Sequence, residues 1–169
     1  MRYFDLHCDT MTECAVKDIP LRKNHLHVNL ESVNTWEHYV QCYAVWLPDD
    51  LRGEDAWQRF LQISERFLDE TEKNQDCFTQ LRAPGDLKKL EQQGRHGGIL
   101  TVESGAALGG KLEHIRDFQR LGVRMCTLTW NGATELGRGV FFPGTSGLTD
   151  FGRQAVKEME KAGILIDLS

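Results

Sequence analysis

The chain has 169 residues, a net charge of -5, and 40% hydrophobic against 27% charged residues. These values are typical of a globular protein of about one domain and exclude a disordered or fibrous chain. The acidic balance, with no basic cluster interleaved with aromatic residues, argues against a nucleic-acid partner. No apolar run reaches the roughly 18 residues that a membrane-spanning helix needs, so we expect no membrane partner.

The N-terminus, "MRYFDLHCD", has neither the apolar stretch nor the small-residue cleavage site of a secretory signal. The 5 cysteines are odd in number and include no C-x-x-C pair. This usage indicates reduced thiols rather than a disulfide framework. We therefore expect a cytoplasmic protein.

Five short segments, rich in apolar and β-branched residues, predict buried strands of a parallel sheet. In chain order they are "RYFDLHC" (2–8), "YVQCYAVWL" (39–47), "GGILTVE" (97–103), "VRMCTLT" (123–129) and "GILIDL" (163–168). Apolar residues at spacings of three and four predict helices over 55–71, 86–93, 112–121 and 150–162. Thr149 is expected to cap the last of these helices. The alternation of strand and helix indicates an α/β fold made of right-handed β-α-β units.

The first and last predicted strands lie at the two ends of the chain, and no helix follows the last one. Each would leave an open sheet edge with unpaired backbone groups and apolar side chains. A complete (β/α)8 barrel takes about 250 residues. We therefore predict a single partial domain over residues 1–169. It would be the N-terminal portion of a (β/α)8 TIM-type barrel, with about five strands, incomplete and truncated at its C-terminal end.

The stretch "FDLHCDT" (4–10) places His7 and Asp9 two residues apart at the end of the first strand. Side chains alternate between the faces of a strand, so His7 and Asp9 should point one way and Cys8 the other. An imidazole and a carboxylate together suit a zinc-like ion, but a hydrogen-bonded polar pair at a strand end explains the same pattern. The third strand ends in Glu103, a second carboxylate that would need a metal ion or a cationic partner, unless it caps the following helix. His7, Asp9 and Glu103 are therefore candidate metal ligands.

Four blocks of the sequence carry a resemblance to a known family: "FDLHCDT", "GILTVESGAAL", "LGVRMCTLTWNG" and "GLTDFGRQAVKEMEKAGILIDLS". In their order and approximate spacing, the chain resembles the membrane (renal) dipeptidase family, zinc dipeptidases of the amidohydrolase-like barrel group. The resemblance implies hydrolysis of the amide bond of a dipeptide by a metal-activated water. It also implies two zinc ions, with His7 and Asp9 on the first and Glu103 as the catalytic carboxylate that bridges to the second.

The chain departs from the pattern of that family in two respects. In the family, two histidines of the second zinc site, an aspartate and a substrate-binding arginine come later, at positions that would follow Ser169. A substrate-contacting histidine of many members is replaced here by Trp130, and the neighbouring Asn131 could donate a hydrogen bond. Trp130 and Asn131 are thus the expected substrate-binding residues. We expect the 169 residues alone to bind zinc weakly and to have little or no peptidase activity.

Two other functions fit the same observations. The open edges suit a non-catalytic half-barrel that assembles with itself or with a chain that supplies the missing strands. The candidate ligands also suit a related metal-dependent hydrolase that acts on a non-peptide amide, since a fold and a metal site do not fix the substrate.

The glycine-rich segment 131–147 and the other histidines are weaker candidates. The segment lacks the G-K-S/T signature of a phosphate loop. It is either an exposed crossover or, with Phe141 and Phe142, part of a substrate pocket. On a strand, His25 and His27 would face one way and could bind a metal ion, but a loop or edge position is favoured. His38, His96 and His114 are expected at the surface.

Overall fold

The computed structural model describes residues 2–142 and 147–169. The strands in this part of the chain are β1 (Arg2–Cys8), β2 (His38–Trp46), β3 (Phe78–Gln80), β4 (His96–Glu103), β5 (Val123–Thr127) and β6 (Leu165–Asp167). The helices are α1 (Thr10–Lys17), α2 (Leu30–Val33), α3 (Gly53–Lys73), α4 (Pro84–Gln93), α5 (His114–Leu121) and α6 (Asp150–Lys161). A 3-10 helix, Gly105–Leu108, follows β4. The predicted α/β class is confirmed.

The strands form one sheet in the order β1-β2-β4-β5-β6, and β3 pairs with the start of β4. β1 and β2 run parallel, with Arg2 opposite His38 and Cys8 opposite Tyr43, and the register shifts between Asp5 and Cys8. The β3–β4 and β5–β6 pairs are also parallel. Parallel strands bring their carboxyl ends to the same edge of a sheet, which is where ligands bind in α/β proteins.

Contacts between residues group the chain into two compact units. The first comprises Met1–Val45 and Gln62–Leu100, and the second comprises Trp46–Leu61 and Thr101–Ser169. Strands β2 and β4 each contribute residues to both units.

The core of the first unit is built around three buried aromatic rings. The centroid of the Tyr43 ring lies 5.8 Å from that of Phe67 and 5.8 Å from that of Phe78. Gly98 of β4 lies against the same rings, and a Cβ at this position would lie 2.3 Å from Phe78 Cζ. Only glycine therefore fits at residue 98 without displacing an aromatic side chain.

A buried carboxylate joins α3 to the segment that follows α1 in the same unit. Glu70 is 2% exposed, and its Oε2 accepts hydrogen bonds from Leu21 N (2.9 Å) and Asn74 Nδ2 (3.2 Å). Its Oε1 lies 3.2 Å from Arg66 Nη2, which also donates to Ile19 O at 2.8 Å. The charge of Glu70 is thus compensated by an ion pair and by hydrogen bonds, as burial requires.

The core of the second unit contains a second aromatic group. The Trp57 ring of α3 stacks on His114 of α5, with centroids 3.7 Å apart and 15° between the planes. Phe60 and Phe118 join them, with centroids 4.4 Å apart. In the same unit α6 begins at its predicted cap, because Thr149 Oγ1 accepts a hydrogen bond from the backbone N–H of residue 152 at 2.9 Å.

Helices α1 and α2 and strand β3 are absent from the predictions, and the sheet formed by residues 2–142 and 147–169 has six strands where about five are predicted. Helix α1, "TMTECAVK", is rich in residues of low helix propensity, and it forms with Met11 and Cys14 buried. Strand β3 has 3 residues, too few to show a periodicity. The fourth predicted strand, 123–129, is two residues too long because β5 ends at Thr127.

Among the described residues no helix is both long and apolar enough to cross a membrane. All the cysteines are free thiols: Cys8, Cys14, Cys42, Cys77 and Cys126. Free thiols agree with the prediction of a protein without a disulfide framework.

Candidate metal centre

His7 and Asp9 meet where β1 passes into α1. Strand β1 ends at Cys8, and Asp9 occupies the N-cap position of α1 with φ of -90° and ψ of 6°. The Asp9 side chain makes no capping hydrogen bond, and its Oδ1 lies 3.5 Å from His7 Nε2. The backbone N–H of His7 donates to Asp5 Oδ1 at 3.0 Å, which fixes the chain just before the pair. Both side chains are about half exposed, at 47% for His7 and 54% for Asp9.

Cys8, between these two residues, is in a different environment. Burial raises the pKa of the Cys8 thiol to about 12, although hydrogen bonds with Thr10 act in the opposite direction. Cys8 is also less exposed than His7 and Asp9 on either side of it.

Glu103 is the last residue of β4, and its position is fixed by the turn that follows. The carbonyl oxygen of Glu103 accepts a hydrogen bond from Leu47 N at 3.3 Å. Ser104 then adopts φ of 89° and ψ of 109°, a conformation that non-glycine residues rarely adopt. At Gly105 a Cβ would lie 2.6 Å from Leu136 Cδ2 and 3.0 Å from Leu128 O, so this residue packs closely against the segment that follows β5.

The structure brings the three predicted ligands together. One ligand atom from each of His7, Asp9 and Glu103 lies within 4.8 Å of the others. Ligands of a tetrahedral zinc ion at about 2.0–2.1 Å are about 3.3 Å apart, and the His7–Asp9 separation of 3.5 Å is close to that spacing. An imidazole and two carboxylates are a donor set that suits zinc and other divalent transition metals.

Trp130 and Asn131, the predicted substrate-binding residues, lie in the segment after β5. The Trp130 side chain is 37% exposed, and its ring centroid lies 5.2 Å from that of Trp46. The carbonyl oxygen of Asn131 accepts a hydrogen bond from Phe141 N at 3.0 Å. At Gly139 a Cβ would lie 2.5 Å from the carbonyl oxygens of both Trp130 and Asn131, so this segment folds back closely on itself. The role of the two residues in substrate binding stays a prediction.

The segment 131–147 is only partly described, since residues 143–146 lie outside the described residues. The side chains of Phe141 and Phe142 are 74% and 53% exposed, as an exposed crossover requires. Ala133 and Arg138 form an antiparallel bridge within the segment.

Three of the remaining histidines differ from their predicted surface positions. His38 is the first residue of β2, and its side chain is only 14% exposed. His96 and His114 are buried, not at the surface. His96 Nε2 lies 3.0 Å from Asn34 Oδ1, and His114 Nδ1 lies 2.9 Å from Leu108 O. Burial lowers the pKa of His96, with a smaller effect from the charge of His38. His25 and His27 lie in an irregular segment, as predicted.

Two residues next to Glu103 are absent from the predicted site: Trp46, opposite it on β2, and Ser104, which follows it in the chain. Trp46 is the last residue of β2, and in the sequence it resembles any apolar residue of a buried strand. Its position at the carboxyl end of the strand could have indicated a site residue, because active sites of barrels lie at that end. Ser104 carries no signal, because the unusual φ of a serine cannot be read from its identity.

Comparisons with known proteins identify the family of this chain. The family model for membrane dipeptidase, peptidase family M19, matches residues 1–169. Dipeptidase 3 of Homo sapiens is 32% identical over 171 residues, an alignment that covers 90% of this chain and 35% of that protein. Dipeptidase 3 of Mus musculus is 27% identical over 161 residues, covering 91% of this chain and 32% of that protein. The chain spans about a third of the length of these relatives.

Two solved structures share the fold. A dipeptidase described as a metallo peptidase of family M19 superposes with a TM-score of 0.90 at 25% identity, over 100% of this chain and 56% of the other. A metallo peptidase from Rhodobacter sphaeroides, liganded with a phosphinate mimic of the dipeptide L-Ala-D-Ala, gives a TM-score of 0.88 at 23% identity, over 100% and 58%. The predicted fold class, the N-terminal portion of a TIM-type barrel, is confirmed. The chain belongs to the membrane dipeptidase family, peptidase family M19.

Proposed function

We propose that this chain carries part of the active site of a zinc-dependent dipeptidase, with His7, Asp9 and Glu103 as metal ligands and dipeptides as substrates. The observation that carries the proposal is the cluster of one ligand atom from each of these residues within 4.8 Å. Membership of a family of metallo dipeptidases supports the reaction class. The dipeptide mimic bound to the Rhodobacter sphaeroides neighbour supports the substrate class.

The three residues have different roles in this proposal. Neutral His7 offers a lone pair from its imidazole, and Asp9, 3.5 Å away, supplies a negative charge that offsets the charge of the ion. Glu103 offers two carboxylate oxygens, so it could contribute a ligand atom to each of two ions. When bound, zinc lowers the pKa of a water molecule towards neutrality and polarises the substrate carbonyl. Trp130 and Asn131 are proposed to contact the substrate from the segment after β5.

The 169 residues alone are proposed to be a poor catalyst. The cluster in the described residues supplies three ligands, and two of them are about half exposed to solvent. Exposed ligands lose more freedom on binding and compete with water, so the affinity for zinc should be low. A cytoplasmic location, proposed from the cysteine usage, is a further proposal.

The test combines zinc binding with turnover on a panel of dipeptide, cyclic amide and ester substrates. We expect weak zinc binding and slow, zinc-dependent dipeptide hydrolysis, both lost in His7→Ala and Glu103→Gln. His25→Ala, which removes an exposed histidine from an irregular segment, is the matched control and should behave as the wild type. Metal-independent hydrolysis would contradict the proposal, and a preference for the cyclic amide or the ester would favour the related amide hydrolase. Tight binding of two zinc ions with rapid turnover would contradict the poor-catalyst proposal.

A second candidate function is association of this chain with itself or with a complementing chain. Its support is a set of exposed apolar side chains on the two outermost strands of the sheet. On β1, Phe4 and Leu6 are 58% and 62% exposed, and on β6 Leu165 is 69% exposed. Side chains of this kind on edge strands favour pairing with another chain. Analytical ultracentrifugation should show association that depends on concentration, and a stable monomer at high concentration would contradict it.

A further inference from the structure

Two indole rings, Trp46 and Trp130, lie together beside Glu103. Their centroids are 5.2 Å apart with 87° between the planes, an edge-to-face pair. Trp130 is 37% exposed and Trp46 is of intermediate exposure, so the pair presents aromatic surface to solvent. Tryptophan is usually highly buried, and exposed aromatic surface beside a candidate site is a typical ligand contact.

The strand register places Trp46 next to the metal ligand. The hydrogen bond from Leu47 N to the Glu103 carbonyl oxygen, 3.3 Å long, puts Trp46 of β2 opposite Glu103 of β4. Opposite residues of neighbouring strands point to the same face of a sheet. The Trp46 ring and the Glu103 carboxylate therefore emerge side by side, and Trp130 packs against Trp46.

We propose that Trp46 and Trp130 form an aromatic wall that selects dipeptides with an aromatic or large aliphatic side chain. This inference rests on the proposed function, since it assumes that the substrate carbonyl lies at the ion held by Glu103. A side chain within one or two bonds of that carbonyl would then lie against the indole rings. A flat or large apolar side chain gains contact with both rings, whereas the methyl group of alanine reaches little of either.

The probes are two phosphinate dipeptide analogues, one with phenylalanine side chains and one with alanine side chains. Binding to the zinc-loaded 169-residue chain is measured by titration calorimetry. We expect the phenylalanine analogue to bind about tenfold more tightly, as the typical energy of an aromatic pair indicates. Trp130→Ala should remove this discrimination without changing the affinity for zinc, and Trp130→Phe should retain most of it. Because Trp46 is partly buried, it is tested as Trp46→Phe.

The matched control is Trp36→Ala, since Trp36 packs against Tyr3 with ring centroids 4.9 Å apart and is not part of the wall. This variant should keep the full discrimination. Equal affinities of the wild type for the two analogues would overturn the proposal, as would an equal loss of both affinities in Trp130→Ala.

Zinc binding is measured first, without any analogue, so a failure there refutes the proposed function by itself. In that case the aromatic wall is tested by titrating the metal-free chain with the phenylalanine analogue and measuring tryptophan fluorescence. Quenching of this fluorescence that is lost in Trp130→Ala supports the aromatic wall, and the absence of quenching in the wild type overturns it.

Discussion

Replacing Ser104 by glycine should stabilise the protein, because residue 104 adopts φ of 89° in the wild type. A non-glycine residue with such a φ destabilises the folded state by about 1–3 kcal/mol, and glycine removes this strain. Glycine also makes the unfolded chain more flexible, which lowers the free energy of unfolding by about 1 kcal/mol. Ser104 is also fully buried, and its Oγ has no hydrogen-bond partner among the described residues. An unsatisfied buried hydroxyl adds about 1–3 kcal/mol of cost.

The two contributions can be separated with Ser104→Ala, which removes the hydroxyl and keeps the strained φ. We expect Ser104→Ala to raise the free energy of unfolding by about 1 kcal/mol and Ser104→Gly to raise it by about 2 kcal/mol. For a chain of this size, these gains correspond to about 3 °C and 6 °C in Tm. Differential scanning calorimetry and urea unfolding measure both. A Ser104→Gly variant no more stable than the wild type would refute the reasoning.

Ser104→Gly should weaken zinc binding at the neighbouring candidate ligand Glu103, although it stabilises the fold. Glu103 directly precedes the turn, and a glycine at residue 104 allows the end of β4 more conformations. We therefore expect Ser104→Gly to bind zinc more weakly than the wild type while unfolding at a higher temperature. This outcome would be an instance of strain that serves a site at the expense of stability.

Three further predictions concern the rest of the fold. Gly98→Ala should destabilise the protein by about 1–3 kcal/mol, because a Cβ would lie 2.3 Å from Phe78 Cζ, and Phe78→Leu should recover part of the loss in urea unfolding of the double variant. Thr149→Ala should cost about 1 kcal/mol, since it removes the N-cap of α6, whereas Thr149→Ser should cost much less in the same assay. Burial raises the pKa of Cys126 to about 12, so at pH 8 this thiol should react with iodoacetamide more slowly than the more exposed Cys77. A higher pH should speed the reaction of both thiols. Equal rates for the two thiols in the folded protein would contradict the burial of Cys126.

The three candidate ligands lie at or close to the ends of two predicted strands, and the structure brings them within 4.8 Å of one another. Glu103 follows a run that has no other charged residue, so its position at the carboxyl end of a strand is visible in the pattern alone. The pairing of His7 with Asp9 is also predicted, but its geometry differs from the expected one. Asp9 lies at the N-cap of α1 rather than on the strand, so the turn into the helix, and not strand alternation alone, brings the two side chains together.

Other features depend on tertiary contacts that no local pattern reveals. His114 is buried because Trp57, far away in the sequence, stacks on it at 3.7 Å, and His96 is buried beside Asn34. The sequence pattern predicts Trp46 as an interior residue of a strand, and only the register with β4 shows that it lies opposite Glu103. Strand β3 is too short for a pattern and forms through pairing with β4.

The central claim is that His7, Asp9 and Glu103 bind one metal ion together. The most direct measurement is the anomalous difference density of crystals of this chain grown or soaked with zinc. We expect a peak at about 2.0–2.2 Å from His7 Nε2 and from a carboxylate oxygen of both Asp9 and Glu103. A peak at His25 and His27 only, or none at the cluster under zinc-saturating conditions, would contradict it.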